Sequence, residues 1–203
     1  MRGPRPCLTT CISCSIFARE LECCCKQSWP DMRVVIVSSM LHMRPERLAA
    51  QLHSLVSRER RDGRRVVLAF GDCCSAMSSL ENLGGVTRTS GTNCCEILLG
   101  RAIYRRLSHQ GAFFICPEWA VRWRTMFETE LGLDTKVAKA FMQELHRKIV
   151  YLDTGVVPEP TAAVNDCADY CGLPVERLPV SLDTFHSAIE DALSRLTPMG
   201  VHP

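Results

Sequence analysis

Short runs of apolar, β-branched residues alternate along this chain with segments of helical periodicity. The clearest runs are 34–37 and 66–70, and an amphipathic segment from residue 45 to about 60 lies between them. This alternation is typical of parallel strands, because each parallel pair needs a long crossover connection that is usually a helix. We therefore predict a single α/β domain over residues 1–203, with its core at about 8–196 and short flexible tails. The expected architecture is a doubly wound, mostly parallel sheet of the Rossmann-like three-layer class.

Cysteine and histidine residues follow the carboxyl ends of the predicted strands. Because those ends share one edge of a parallel sheet, and ligands bind outside that edge, separate segments can converge there on one site. The charged segment 58–65 leads into a strand instead, so we expect it at the opposite edge. In chain order the residues at strand ends are Cys14, His42, Cys73 and Cys74, Cys94 and Cys95, and Cys116.

Several thiolates with one imidazole form a donor set that suits soft or borderline metals. This chemistry predicts zinc, or iron in a sulfur cluster, rather than magnesium or calcium. We expect an iron–sulfur cluster first, with zinc as the alternative. The predicted metal ligands are Cys14, His42, Cys73 and Cys94, and the predicted further cofactor-binding residues are Cys74, Cys95 and Cys116.

Cysteine is also a common small buried residue, so some of the remaining thiols are expected to pack rather than bind. Cys167 and Cys171 are four residues apart in a predicted helix, where they share one face. We expect this pair to lie in the core. The consecutive cysteines 23–25 fall in the first predicted helix, where one or two of them should pack inward.

The same site residues allow a second function class, an enzyme with a thiolate nucleophile. Cys73 or Cys94 would be the nucleophile, His42 the base, and Glu96 or Asp72 the group that orients the base. The number of converging thiols favours metal binding, and whether the protein is an enzyme stays open. The sequence contains neither G-x-G-x-x-G after its first strand nor a P-loop, so no nucleotide site is assigned.

Composition limits the compartment and the partners. The thirteen cysteines are odd in number and partly adjacent, which argues for reduced thiols in the cytoplasm rather than a disulfide framework. A net charge of +2 is too small to indicate nucleic-acid binding. No stretch approaches the roughly 20 apolar residues of a membrane span. The apolar run 7–18 is diluted by serine and threonine and lacks a signal-peptide cleavage site.

Four segments of the chain resemble the successive motifs of the family catalogued as domain of unknown function 1638. They are Cys-Ser-Ile-Phe-Ala-Arg-Glu-Leu at 14–21, Leu-His-Met-Arg-Pro-Glu at 41–46, Phe-Gly-Asp-Cys at 70–73 and Ser-Gly-Thr-Asn-Cys-Cys-Glu at 90–96. The resemblance extends from about Cys14 to Tyr151. It equates the family's cysteine and histidine positions with Cys14, His42, Cys73 and Cys94.

The sequence departs from the family pattern at three of its extra thiols. Cys74 stands where a glycine is expected, Cys95 where an aromatic residue is usual, and Cys116 where a threonine is usual. Family members often occur near corrinoid-dependent methyltransferase systems. The resemblance therefore implies a role in corrinoid-linked methyl or one-carbon metabolism, with a corrinoid protein or a methyltransferase as partner.

Overall fold

The computed structural model of the protein describes residues 8–197. The chain divides into two compact units. The first contains the described residues up to Ile97 and those from Asp183 onward, and the second is Leu98–Leu182. The predicted single-domain organisation stays a prediction.

The first unit contains a four-stranded parallel sheet in the order β2-β1-β3-β4. The strands are β1 (Thr9–Cys14), β2 (Arg33–Val37), β3 (Arg65–Ala69) and β4 (Val86–Arg88). The helices are α1 (Ala18–Ser28), α2 (Pro45–Arg61), α3 (Met77–Glu81), α4 (Cys94–Leu99), which runs into the second unit, and, near the end of the chain, α9 (Asp183–Ser194). Short 3₁₀ turns follow β1 and β2 at Ser15–Phe17 and Ser39–Met43.

The second unit contains a three-stranded parallel sheet in the order β5-β6-β7. Its strands are β5 (Ala112–Ile115), β6 (Lys148–Asp153) and β7 (Val175–Pro179). Its helices are α5 (Arg101–His109), α6 (Pro117–Ala120), α7 (Thr135–Leu145) and α8 (Thr161–Cys171), with a π-helical turn at Thr125–Glu130.

The predicted fold class is confirmed, since both sheets are parallel throughout and are flanked by helices. The described strands are divided between two sheets, however, whereas the alternating pattern predicts one. Alternation shows that parallel strands are joined by crossovers. It does not show which strands form hydrogen bonds with each other, because that choice depends on contacts between segments far apart in the chain.

Apolar periodicity explains the core of the first unit. The periodicity of α2 predicts a buried stripe of Leu48, Leu52, Leu55 and Val56; Leu48, Leu52 and Val56 are fully buried, whereas Leu55 is half-buried. On α9, the ring of Phe185 stacks on that of Phe17 with centroids 4.7 Å apart. Residues at i, i+4 and i+8 lie on one face of a helix, so burial of this stripe determines which face of α2 packs against the rest of the unit.

The charged segment 58–65 lies at the amino edge of the first sheet, as predicted, because Arg65 is the first residue of β3. It is not wholly solvated. Glu59 is only 1% exposed and its carboxylate accepts a hydrogen bond of 2.9 Å from the Thr10 hydroxyl. Arg58 lies 3.2 Å from the same carboxylate. Although it belongs to the charged segment, Glu59 is therefore buried and connects α2 to β1.

Two helical segments are interrupted. A break at Gly100 separates α4 from α5, and the φ of 75° at this glycine lies in the left-handed region that glycine adopts readily. After α6 the chain forms the π-helical turn, where the Leu131 N–H donates to the Met126 carbonyl at 3.0 Å. Within residues 8–197, no helix combines the length and the apolar character needed to cross a membrane.

Candidate metal centre

The parallel sheet of the first unit places four predicted site residues beyond the same edge. Cys14 is the last residue of β1, and His42, Cys73 and Cys94 follow β2, β3 and β4. Arg65, the first residue of β3, lies at the opposite edge. The predicted placement of these residues is therefore confirmed.

The loops that follow β3 and β4 touch along their backbones. The Asp72 N–H donates to the Thr92 carbonyl at 2.8 Å. A Cβ atom added to Gly71 would lie 2.5 Å from both the Thr92 oxygen and the Asn93 Cα atom. Only a residue without a side chain allows this approach. Gly71 thus brings the two cysteine-bearing loops together.

Two cysteines lie on the loop after β3 and two begin α4, at the end of the loop after β4; we call Cys73, Cys74, Cys94 and Cys95 the cysteine cluster. All four are partly buried. The Sγ atoms of Cys94 and Cys95 are 3.9 Å apart. Burial raises the pKa of Cys73 to about 11, with a further rise from the charge of Cys94, while Arg88 acts in the opposite direction. The cluster therefore contains thiols close enough to affect one another's ionisation.

Cys94 and Cys95 are oriented by the start of α4. The Asn93 side chain accepts a hydrogen bond of 3.0 Å from the Glu96 N–H, as a helix-capping residue does. The Glu96 carboxylate in turn accepts from the Thr92 N–H at 3.0 Å. This exchange resembles a capping box and holds the first turn of α4, with its two thiols, against the preceding loop.

His42 lies in the 3₁₀ turn after β2. Its Nδ1 is 2.7 Å from the Ser39 carbonyl oxygen, which can only accept, so Nδ1 carries the proton when the ring is neutral. Nε2 then has the lone pair that a metal needs, an arrangement common among metal-binding histidines. The His42 ring faces that of Phe70, with centroids 6.4 Å apart. Cys14 is 2% exposed.

The described residues of the first unit do not form a closed ligand set. Among them, no three His, Cys, Asp or Glu ligand atoms all lie within 4.8 Å of one another. Side chains would have to rotate to bind one ion, so the ligand roles of Cys14, His42, Cys73 and Cys94 stay predictions. Cys116 follows β5 in the second unit and is 2% exposed, and its cofactor-binding role also stays a prediction.

The cysteines assigned to packing are buried. Cys167 and Cys171 are fully buried, and a hydrogen bond between their thiols raises the pKa of Cys167. Cys24 and Cys25 are buried on α1, whereas Cys23 is partly exposed. None of the cysteines within residues 8–197 forms a disulfide bond.

One residue near the cluster was missed in the sequence analysis. Arg88 ends β4 and lies 2.9 Å from the Asp72 carboxylate and 3.1 Å from that of Glu81. The sequence feature that could have identified Arg88 is a charged residue at the end of an otherwise buried strand, next to a predicted site. Because Asp72 pairs with Arg88 and Glu96 accepts from Thr92, both carboxylates predicted as base-orienting groups already have other partners.

Comparison with protein families gives a match over residues 36–189, a segment that includes His42, Cys73, Cys94 and their flanking motifs. Cys14 precedes the matched segment. Comparison with curated proteins and with solved structures returned no match. Since the matched residues make up most of the chain, the protein belongs to the family described as Protein of unknown function (DUF1638).

Proposed function

We propose that the protein binds a metal ion or an iron–sulfur cluster through the cysteine cluster, with Cys73 and Cys94 as the central ligands. The observation that carries the proposal is the contact between the loops after β3 and β4, because the first bears Cys73 and Cys74 and the second leads directly into Cys94 and Cys95 of α4. Cys14 and His42 are the further ligands proposed from the neighbouring strands. Neutral imidazole and thiolate are the donors that zinc and iron–sulfur clusters use.

The raised pKa of Cys73 argues against this thiol as the nucleophile. Its pKa of about 11 keeps it protonated at neutral pH, whereas catalytic thiols have lowered pKa values. Burial and the charge of Cys94 both disfavour a lone thiolate at this position. A bound cation removes both penalties, because it neutralises the thiolates and displaces their protons.

An iron–sulfur cluster is the first proposal and zinc the second. Bound there, a cluster would supply one-electron chemistry, and the site would serve electron transfer, cluster delivery or methyl metabolism. A corrinoid protein or a methyltransferase as partner is proposed from the family resemblance alone. The cytoplasmic compartment is proposed from cysteine usage, and free thiols in the described residues support it.

Anaerobic purification with analysis of iron, zinc and acid-labile sulfide tests the proposal. We expect brown protein with sulfide for a cluster, or colourless protein with zinc. Replacing Cys73 or Cys94 by serine exchanges a thiolate ligand for a hydroxyl that stays protonated. Affinity should then fall by more than tenfold, since even outer-shell substitutions cost about 10- to 100-fold.

Cys167→Ser is the matched control, because it removes a buried thiol of the second unit. It should leave metal content unchanged and lower the free energy of unfolding by roughly 1–3 kcal/mol if the hydroxyl lacks a partner. Equal metal content in folded Cys73→Ser and Cys167→Ser proteins would contradict the proposal. Selective alkylation of Cys73 or Cys94 near neutral pH would then favour the thiolate-nucleophile alternative.

A further inference from the structure

Arg88 contacts both loops of the cysteine cluster with one side chain. Its Nη2 lies 2.9 Å from Asp72 Oδ1, and Asp72 directly precedes Cys73. Its Nη1 donates to the Phe70 carbonyl at 3.5 Å and to the Gly91 carbonyl at 3.4 Å. Phe70 is the first residue after β3, and Gly91 lies on the loop between β4 and Cys94.

Two further contacts, with Glu81 and Arg195, hold Arg88 in position. Its Nε lies 3.1 Å from Glu81 Oε2 at the end of α3, a charge pair without hydrogen-bond alignment. Its backbone carbonyl accepts a hydrogen bond of 2.7 Å from Arg195, which follows α9. The Arg88 side chain is 14% exposed. Partly buried charge contacts of this kind are screened by solvent less than surface pairs are.

We propose that Arg88 is a positioning residue of this metal site, which sets the distance between Cys73 and Cys94 by bridging their loops. This inference rests on the proposed metal-binding function and extends it to a residue that offers no ligand atom. The planar guanidinium has five N–H donors in fixed directions, so it bonds to Asp72 and to two loop carbonyls at once. A lysine ammonium keeps the charge but is a point donor on a flexible stem.

The first measurement is anaerobic titration of the full-length, metal-free protein with Co²⁺, whose visible d–d absorption reports tetrahedral thiolate coordination. Arg88→Met and Arg88→Lys should both raise the dissociation constant about 10- to 100-fold, the range found for outer-shell partners of metal ligands. Their d–d bands should also weaken or shift. If Arg88→Lys binds Co²⁺ as weakly as Arg88→Met does, binding requires the bridging geometry of the guanidinium and not only its charge.

Arg177→Met is the matched control, because it removes an ion-paired arginine of the second unit, 2.9 Å from Glu159. It should leave Co²⁺ affinity and spectrum unchanged. Asp72→Asn provides a second test of the same contact if the Arg88 variants do not fold. The Asp72 side chain is 59% exposed, and its amide can still accept from Arg88, so we expect a folded protein with a smaller loss of affinity in the same direction.

The second measurement, amide hydrogen exchange without metal, tests loop position directly. The Asp72 amide is bonded to Thr92 across the two loops and should exchange faster in Arg88→Met, while amides between β1 and β3 keep their protection. Wild-type affinity and Asp72 protection in the folded Arg88 variants would overturn the role of Arg88. A wild-type protein that binds no Co²⁺ and also contains no iron, zinc or sulfide after anaerobic purification would instead overturn the proposed function, and with it the metal-positioning role, whatever the exchange rates.

Discussion

At the scale of single residues, Gly71 is a position of the site that has no room for a side chain. Gly71→Ala would place a Cβ atom 2.5 Å from the Asn93 Cα and the Thr92 oxygen. Both are backbone atoms, so one of the two loops has to move. We expect the free energy of unfolding to fall by roughly 1–3 kcal/mol, as in overpacked sites, and metal content to fall with it.

Ser90→Ala is the control for this change, since Ser90 is exposed on the loop after β4. Ser90→Ala should change neither the free energy of unfolding nor the metal content. Chemical denaturation and metal analysis of both variants measure the effects. A Gly71→Ala protein with wild-type stability and full metal content would show that the contact between the loops is not needed for binding.

At the scale of elements, the buried carboxylate of Glu59 connects helix α2 to the first sheet. Glu59→Ala would leave the fully buried Thr10 hydroxyl without its 2.9 Å acceptor. Glu59 also pairs with Arg58, Arg33 and Arg64, whose side chains are 50%, 50% and 23% exposed and can be rehydrated, so the main cost is that of a lost hydrogen bond to a charged group. We expect a loss of roughly 1–3 kcal/mol in the free energy of unfolding.

Metal content should be unchanged in the same variant, because Glu59 lies toward the amino edge of the sheet and the cysteine cluster beyond the carboxyl edge. Denaturation curves and metal analysis on one preparation measure both effects. Loss of metal from a folded Glu59→Ala protein would contradict this separation of the two edges.

At the scale of the whole molecule, the first unit is built from both ends of the chain, and the second, Leu98–Leu182, is inserted between them. A single domain predicts one cooperative unfolding transition with equal calorimetric and van't Hoff enthalpies. We expect this result from calorimetry of the metal-free protein. Two resolved transitions would show that the units are separate domains and would contradict the single-domain prediction.

The sequence alone was enough to predict the α/β class, the order of most elements and the edge at which Cys14, His42, Cys73 and Cys94 lie. These features depend on local periodicity and on chain direction. A β-branched run, an amphipathic helix and a following loop each leave a signal within about 20 residues. Parallel connections then place every strand end of one sheet at the same edge.

Tertiary structure alone decided which strands share a sheet, that Glu59 is buried in a charged segment, and that Arg88 reaches Asp72 and Gly91. It also decided that Gly71 meets Asn93. Each of these features joins segments that are not neighbours in the chain, and local propensity carries no information about such partners. Hydrogen bonds and close packing select them only when the strands and helices come together, because buried polar groups must then find partners.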